Sequence, residues 1–293
     1  LSYWNDVNPV LESRCVVCHA CYDAPCQLKL GSYEGVTRGA NKEFVYNSER
    51  LLAAAPTRLF EDAHSTAQWR QKGFFPVLNE RRDDPQANLA GSVLAQMLLL
   101  KDKHPLPTDP ILADSFDLNL TRDQHCSSIE EFADFRRDYP LWGMPYGLPG
   151  LTQPEQDVLL KWVEQGAPHD ARKPLDAAQL QQVSRWEQFF NQDSPKAQLM
   201  SRYMYEHLYL AHLHFGGQGR PVFFKLVRSR TAPGQPIDQI TTLRPYDDPG
   251  VARVYYRLQP VQETIVVKTH MPYLLDAQRL QRWTNLFLQP AYE

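Results

Sequence analysis

The 293-residue sequence predicts two parts: a mainly α-helical domain with a long insertion over residues 1–170, and an α+β segment, part of a larger domain, over 171–293. Three observations carry that expectation. Apolar residues recur at helical spacing through the first half. A polar, proline-containing stretch, APHDARKPLD at 167–176, then interrupts the pattern like a linker. Only beyond it do β-rich runs bounded by Gly, Pro and Asp appear.

Residues 3–18 read as a short helix, with Tyr3, Val7, Val10, Leu11 and Arg14 near helical spacing and Pro9 as an interruption. A stronger helix spans 88–100, with Leu89, Val93, Met97 and Leu100 along one side. The clearest helix is TQPEQDVLLKWVEQGAP at 152–168. Thr152 can cap it, Pro154 and Glu155 sit in its first turn, and Gly166 ends it. Its apolar face is Val158, Leu159, Trp162 and Val163. After the linker come helices at 177–192 and 196–215, β runs at 221–229, 252–259 and 263–270, and a last helix at 276–288.

Composition excludes several classes. Hydrophobic residues make up 43% and charged residues 22%, with a net charge of −3, so a nucleic-acid binder is not expected. The most apolar run, SVLAQMLLL at 92–100, falls well short of the roughly 20 residues that span a bilayer, so no transmembrane segment is expected. The opening LSYWNDVNPVLESRC, without an initiator Met, reads as a mature fragment, with any export signal already removed.

Four of the five cysteines crowd into ESRCVVCHACYDAPCQLKL at 12–30, which implies local chemistry rather than global stapling. Cys15-Val16-Val17-Cys18-His19 is the attachment pattern for haem c. Two thiols a helical turn apart can add to the porphyrin vinyl groups, and the adjacent imidazole then lies under the iron. A zinc knot would need Cys21 and Cys26 as further thiolates. A thioredoxin-like CxxC would want a βαβ context, which is absent.

The second half of the haem argument is Met144. The segment GMPYGLPGLTQPEQDVLLKWVEQGAP at 143–168 resembles the distal-ligand loop of bacterial cytochromes c, where a Met-Pro segment brings sulfur to the iron and a final helix packs on the first. The expectation is therefore a cytochrome c-like domain with His19 and Met144 as iron ligands. His104, His125 and Met271 are weaker alternatives to Met144. The 125 positions between His19 and Met144 exceed what such a domain needs, so about residues 40–140 are an insertion worth a functional suspicion. Within it, Trp69, Phe74 and Phe75 either line an apolar channel or fill a core.

Segments from one end of the chain to the other resemble the fatty acid cis/trans isomerases of the Gram-negative periplasm. They are RCVVCHACYDAPCQLKL, PTRLFEDAHST, GFFPVLNE, GMPYGLPGL, SRYMYEHLYLAHLHF, FFKLVRSRTAPGQPID, LRPYDDPG and YYRLQP with ETIVVKTHMPY. Family members are considerably longer, so the chain resembles an N-terminal portion. The resemblance implies a periplasmic, haem-c-bearing enzyme that converts cis double bonds of phospholipid acyl chains to trans, without ATP or a soluble reductant. Stiffer trans chains would serve a membrane under stress. Carried over by position, Cys15 and Cys18 would hold the haem and His19 would be its proximal ligand.

On that reading, electron withdrawal at ferric haem weakens the double bond, with His19 and Met144 at the catalytic iron and Met144 displaceable. An acyl chain needs an apolar tunnel, for which Phe74, Phe75, Leu78 and a helix over 203–215 are candidates. The stretch 220–257 carries seven Lys/Arg against three Asp, so it either meets phosphate headgroups in a peripheral membrane contact or is a solvated strand surface. His207 and His214 share a helix face in the expected helix, a weak metal suggestion. One disulfide is expected among Cys21, Cys26 and Cys126. The competing readings are an electron-transfer cytochrome c domain joined to a binding module, and a non-enzymatic lipid- or envelope-binding protein.

Overall fold

A computed structural model describes residues 1–21, 24–45, 57–109, 111–114, 116–119, 122–217 and 221–291. The chain divides into two compact units, Leu1–Arg172 and Lys173–Glu293.

Unit 1 begins with a π-helical turn, Tyr3–Val7, whose first turn is capped by the Ser2 hydroxyl accepting from Asn5 N at 3.1 Å. It runs directly into α1, Asn8–Arg14. Pro9 starts this helix rather than interrupting it, because a missing N–H costs nothing in the first turn. The expected helix over 88–100 is two helices. These are α4, Pro85–Ala90, and α5, Val93–Lys103, following α2, Tyr33–Arg38, and α3, Thr66–Gln71. The break falls at Ser92, which caps α5 and also donates its buried hydroxyl to Val77 O at 2.9 Å. Next come α6, Phe132–Asp138, and α7, Gln153–Glu164, the latter with Thr152 and Glu155 forming a capping box.

The main core of unit 1 joins Tyr3, Val7 and Leu11 to Leu94 and Leu98 of α5, Phe132 and Phe135 of α6, and Leu159, Trp162 and Val163 of α7. Leu159 and Trp162 are fully buried, each contributing about 2–3 kcal/mol by leaving water. A separate small cluster holds Leu59, Ala63, Trp69 and Phe74, with the Arg38 guanidinium 4.6 Å above the Phe74 ring. Gly39, at φ 82°, allows the close approach between α2 and the Phe75 strand segment. A Cβ there would stand 2.0 Å from Phe75 O. Ala40 and Phe75 exchange both backbone hydrogen bonds, at 3.0 and 2.7 Å.

Unit 2 packs α8, Ala177–Phe190, α9, Pro195–Leu208, and α10, Ala277–Trp283, with a mixed sheet in the order β3-β2-β1-β4. Its strands are β1, His212–His214, β2, Phe224–Ser229, β3, Tyr255–Pro260, and β4, Pro272–Leu274. β2 pairs antiparallel with β1 and β3, whereas β4 lies parallel to β1 with Leu213 opposite Tyr273. Two expectations are corrected here. The helix expected over 196–215 ends at Leu208, and 212–214 is a strand, so His207 and His214 do not share a helix face. The run 263–270 is not a strand; it holds a 3₁₀ turn at Val267–Thr269, and Met271 leads into β4 instead of ending a strand. The core gathers Trp186, Phe190, Met204, Leu213, Phe224, Leu226, Leu258 and Trp283.

Candidate functional site

The Cys15–His19 segment is the turn that ends α1. Cys15 N still bonds Leu11 O at 2.9 Å, and Cys15 O then accepts from both Cys18 N, at 3.2 Å, and His19 N, at 2.9 Å. Cys15 packs against the main core, whereas Cys18 is exposed, and both thiols are free. Burial pushes the Cys15 thiol up to about 12, only partly opposed by the Arg14 charge. It is therefore held protonated, which disfavours a thiolate metal ligand.

His19 is 8% exposed. Its Nδ1 lies 3.1 Å from Leu28 O. A carbonyl can only accept, so Nδ1 carries the hydrogen and Nε2 keeps its lone pair. Burial pulls the imidazole down to about 4, opposed by that hydrogen bond, so it is neutral near pH 7. A neutral imidazole with one nitrogen held by a backbone carbonyl is the usual state of a metal-ligating histidine.

Leu28 is itself secured. Cys26, two residues before it, forms a disulfide with Cys126, and Cys26 N donates to Gln124 Oε1 at 3.1 Å. The Arg38 guanidinium donates to Gln27 O. This disulfide resolves the choice among Cys21, Cys26 and Cys126 and leaves Cys21 free. It also removes Cys26 from the four-thiolate knot. Among the described residues no group of three or more His, Cys, Asp and Glu side chains could hold a metal ion.

Met144 sits in the loop between α6 and α7, before a cis-proline, Met144–Pro145, and packs against the same core as Cys15. Its N–H donates to Met97 O at 3.1 Å. Gly143 is needed immediately before it: a Cβ there would lie 2.3 Å from Lys101 N. Lys101 is 2% exposed, its Nζ is buried without a hydrogen-bond partner, and burial pulls its ammonium down to about 8. The Lys101 backbone lies against Gly143, and an orphaned buried donor on such a residue fits a bound group that carries a carboxylate. Two free thiols, one oriented neutral imidazole, a thioether and an unpartnered ammonium together suit haem c better than zinc.

Phe74 is in the small cluster with Trp69, whereas Phe75 and Leu78 pack on the main core together with Met144. His125 stacks on Tyr139 with centroids 4.3 Å apart, and His104 follows the end of α5. His212 Nδ1 meets His270 Nδ1 at 3.1 Å. The basic stretch is mostly buried or paired, with Arg244 exposed and without an ion pair among the described residues. Arg220 lies outside the described residues, Arg228 and Arg257 are buried, and Lys225, Arg230 and Arg253 pair with Glu263, Asp238 and Asp193. The Leu28 carbonyl and Lys101 were not anticipated. A backbone carbonyl leaves no side-chain signal, but a lysine four residues after Met97 in the most apolar helix was a readable one.

A family model described as fatty acid cis/trans isomerase matches residues 54–293, most of the chain, starting downstream of the Cys15–His19 turn. No curated protein and no solved structure matches.

Proposed function

Because the chain belongs to the fatty acid cis/trans isomerase family, we propose that it converts cis double bonds in the acyl chains of membrane phospholipids to trans, using haem c held by Cys15, Cys18, His19 and Met144. Family membership makes it an isomerase of fatty acids. The observation that carries the cofactor is the His19–Leu28 hydrogen bond beside two unpaired thiols. The haem iron, when bound, supplies electron withdrawal that weakens the double bond enough for rotation, a downhill change that needs no nucleotide.

The chain's own residues do the rest. Leu28 O fixes the imidazole ring and its tautomer, and burial keeps it unprotonated. Cys15 and Cys18 supply the thioether sulfurs. Lys101 Nζ, buried without a partner, would offer a counter-charge to a porphyrin carboxylate. Met144 would be a weak, neutral ligand, and its N–H, donating to Met97 O, holds the loop backbone independently of that side chain. This supports close access of the alkene over long-range electron transfer, which an isolated alkene resists. Phe75 and Leu78, which pack on the same core as Met144, are the proposed channel residues, whereas Phe74 packs in the separate small cluster.

A cytochrome c-like arrangement is supported by α1 and α7 sharing one core around the Cys15 turn and the Met144 loop. A periplasmic location is supported by the Cys26–Cys126 disulfide, which suits an oxidising compartment. Among the described residues no helix is long and apolar enough to cross a membrane; the lipid contact proposed here is a peripheral one.

The test is the haem itself. Expressed for export, the chain should gain the mass of one haem, and Cys15→Ala/Cys18→Ala should abolish the gain. Met144→Ala should keep the haem, change the sixth-ligand absorption and stay active. Loss of all activity in that variant with full haem loading would contradict close access at the Met144 position.

A further inference from the structure

Unit 2 contains a cavity of about 550 Å³ that belongs neither to the Cys15 turn nor to the Met144 loop. Arg228 of β2 lines it and is 4% exposed. One Nη donates to Asp247 O at 2.8 Å, the other to Thr242 Oγ1, and the guanidinium lies 5.1 Å from the centroid of the Tyr205 ring. Nε is buried and has no partner. Of five N–H donors, only two are committed.

No carboxylate lies within ion-pair distance of Arg228 among the described residues. The neighbouring cations do have partners: Arg202 pairs with Glu206 at 2.7 Å, and Arg253 with Asp193 at 3.4 Å. A guanidinium taken out of water without a counter-ion is costly unless something else enters to match it.

The same cavity carries unmatched charge of the other sign. Asp247 Oδ2 accepts only from Arg244 N, and Asp248 Oδ1 only from Gly250 N, each at 2.8 Å. Neither carboxylate has a cation within ion-pair distance among the described residues. Arg228 reaches the Asp247 carbonyl, not its carboxylate, so the charges are not cancelled against each other. A free anion would satisfy one side and be repelled by the other. A ligand with both signs, spaced by a few bonds, satisfies both.

We propose that this cavity binds a zwitterionic phospholipid headgroup, its phosphodiester on Arg228 with Arg202 and Arg253 nearby, and its ammonium on Asp247 and Asp248. Tyr205, Tyr246 and Tyr256 also line the cavity, and a tyrosine ring attracts an ammonium over its face. Leu199 and Tyr246 line it while remaining 64% and 59% exposed, which leaves apolar surface for the glycerol and first methylenes. Its volume falls within the range of small-molecule sites. The choice of a lipid over another zwitterion rests on the phospholipid substrate proposed above. The cavity would then hold the headgroup of a lipid engaged by the isomerase.

The experiment is calorimetric titration of the full chain with dihexanoyl phosphatidylethanolamine, dihexanoyl phosphatidylglycerol and inorganic phosphate. The ethanolamine lipid should bind about tenfold more tightly than the glycerol lipid, the difference expected of one added ion pair in a partly buried site. Asp248→Asn should bring the two lipids level. Arg202→Gln, an exposed change that leaves β2 intact, should weaken both, and Arg228→Gln should abolish both in protein whose circular dichroism is unchanged. Equal affinity for the two lipids in the native chain would overturn the zwitterion assignment. Tight binding of phosphate alone, unaffected by Asp248→Asn, would make the cavity a simple oxyanion site and also overturn it, as would no binding at all. The titration reads headgroup binding without haem or turnover, so a failed isomerase assay leaves it standing, and the converse holds.

Discussion

Glu187→Gln should destabilise unit 2 far more than its near-identical shape suggests. Glu187, on α8, and Arg257, on β3, are both buried, with side chains only 5% and 8% exposed and Glu187 Oε2 3.0 Å from Arg257 Nε. Glu187 Oε1 also accepts from Leu258 N at 2.9 Å. The guanidinium donates to Thr231 O at 3.3 Å, Ala232 O at 2.9 Å and Gln235 O at 3.1 Å, so one ion pair ties α8, β3 and the 231–235 loop together. Removing one partner of such a pair leaves a buried charge uncompensated, at a cost of about 3–5 kcal/mol. The three carbonyls still solvate the cation and the Gln oxygen can still accept from Leu258, so the low end, about 3 kcal/mol, is expected. Native-state hydrogen exchange read by mass spectrometry isolates this unit from the rest of the chain. Peptides covering 177–190 and 255–260 should exchange roughly 100-fold faster in the variant, while peptides of α7 stay unchanged. A change below about threefold in the unit 2 peptides would refute the view that this pair carries uncompensated charge when broken.

Other perturbations read other parts of the molecule. The Cys26–Cys126 bridge closes a separation of 100 residues, so Cys126→Ala should lower the stability of unit 1 by about 4 kcal/mol and exchange the amides around Leu28 faster; a melting temperature within a degree of native would contradict this. Gly143→Ala forces a Cβ against the Lys101 backbone and should cost about 1–3 kcal/mol while disturbing the Met144 loop, seen as a weakened sixth-ligand band after haem attachment. His212 is held below its ordinary pKa, first by burial and then by Lys225 and His270, so its neutral form is favoured in the fold. Its stabilisation is present above the ordinary histidine range and is lost as pH falls. A second proton also breaks the Nδ1···Nδ1 bond to His270. Amides of β1 and β4 should therefore open more readily at pH 5 than at pH 7, and His270→Phe should flatten that dependence.

Local signals read well where capping and periodicity agreed. The α7 boundaries follow from Thr152, Glu155 and Gly166, and its buried face from Leu159, Trp162 and Val163. The same reasoning overran α5, because apolar spacing continues through Ser92 while the cap that breaks the helix depends on Val77 O, which is distant in sequence. ETIVVKTH has strand-like composition yet forms a turn, and the parallel partner of β1 is Pro272–Leu274, chosen by tertiary contact with no local signature. As a proposed haem site, Cys15, Cys18, His19 and Met144 were legible from residue types and spacing alone. What orients them was not: Leu28 acts through its carbonyl, and the disulfide partner of Cys26 lies 100 residues away.

The central claim is haem-dependent isomerisation by this chain. Haem-loaded, oxidised protein should be incubated with vesicles of cis-monounsaturated phospholipid and the fatty acids resolved by gas chromatography. Accumulation of trans product that disappears with Cys15→Ala/Cys18→Ala is the predicted result. Trans product formed equally well by the haem-free variant, or none formed by fully loaded native protein, would contradict it.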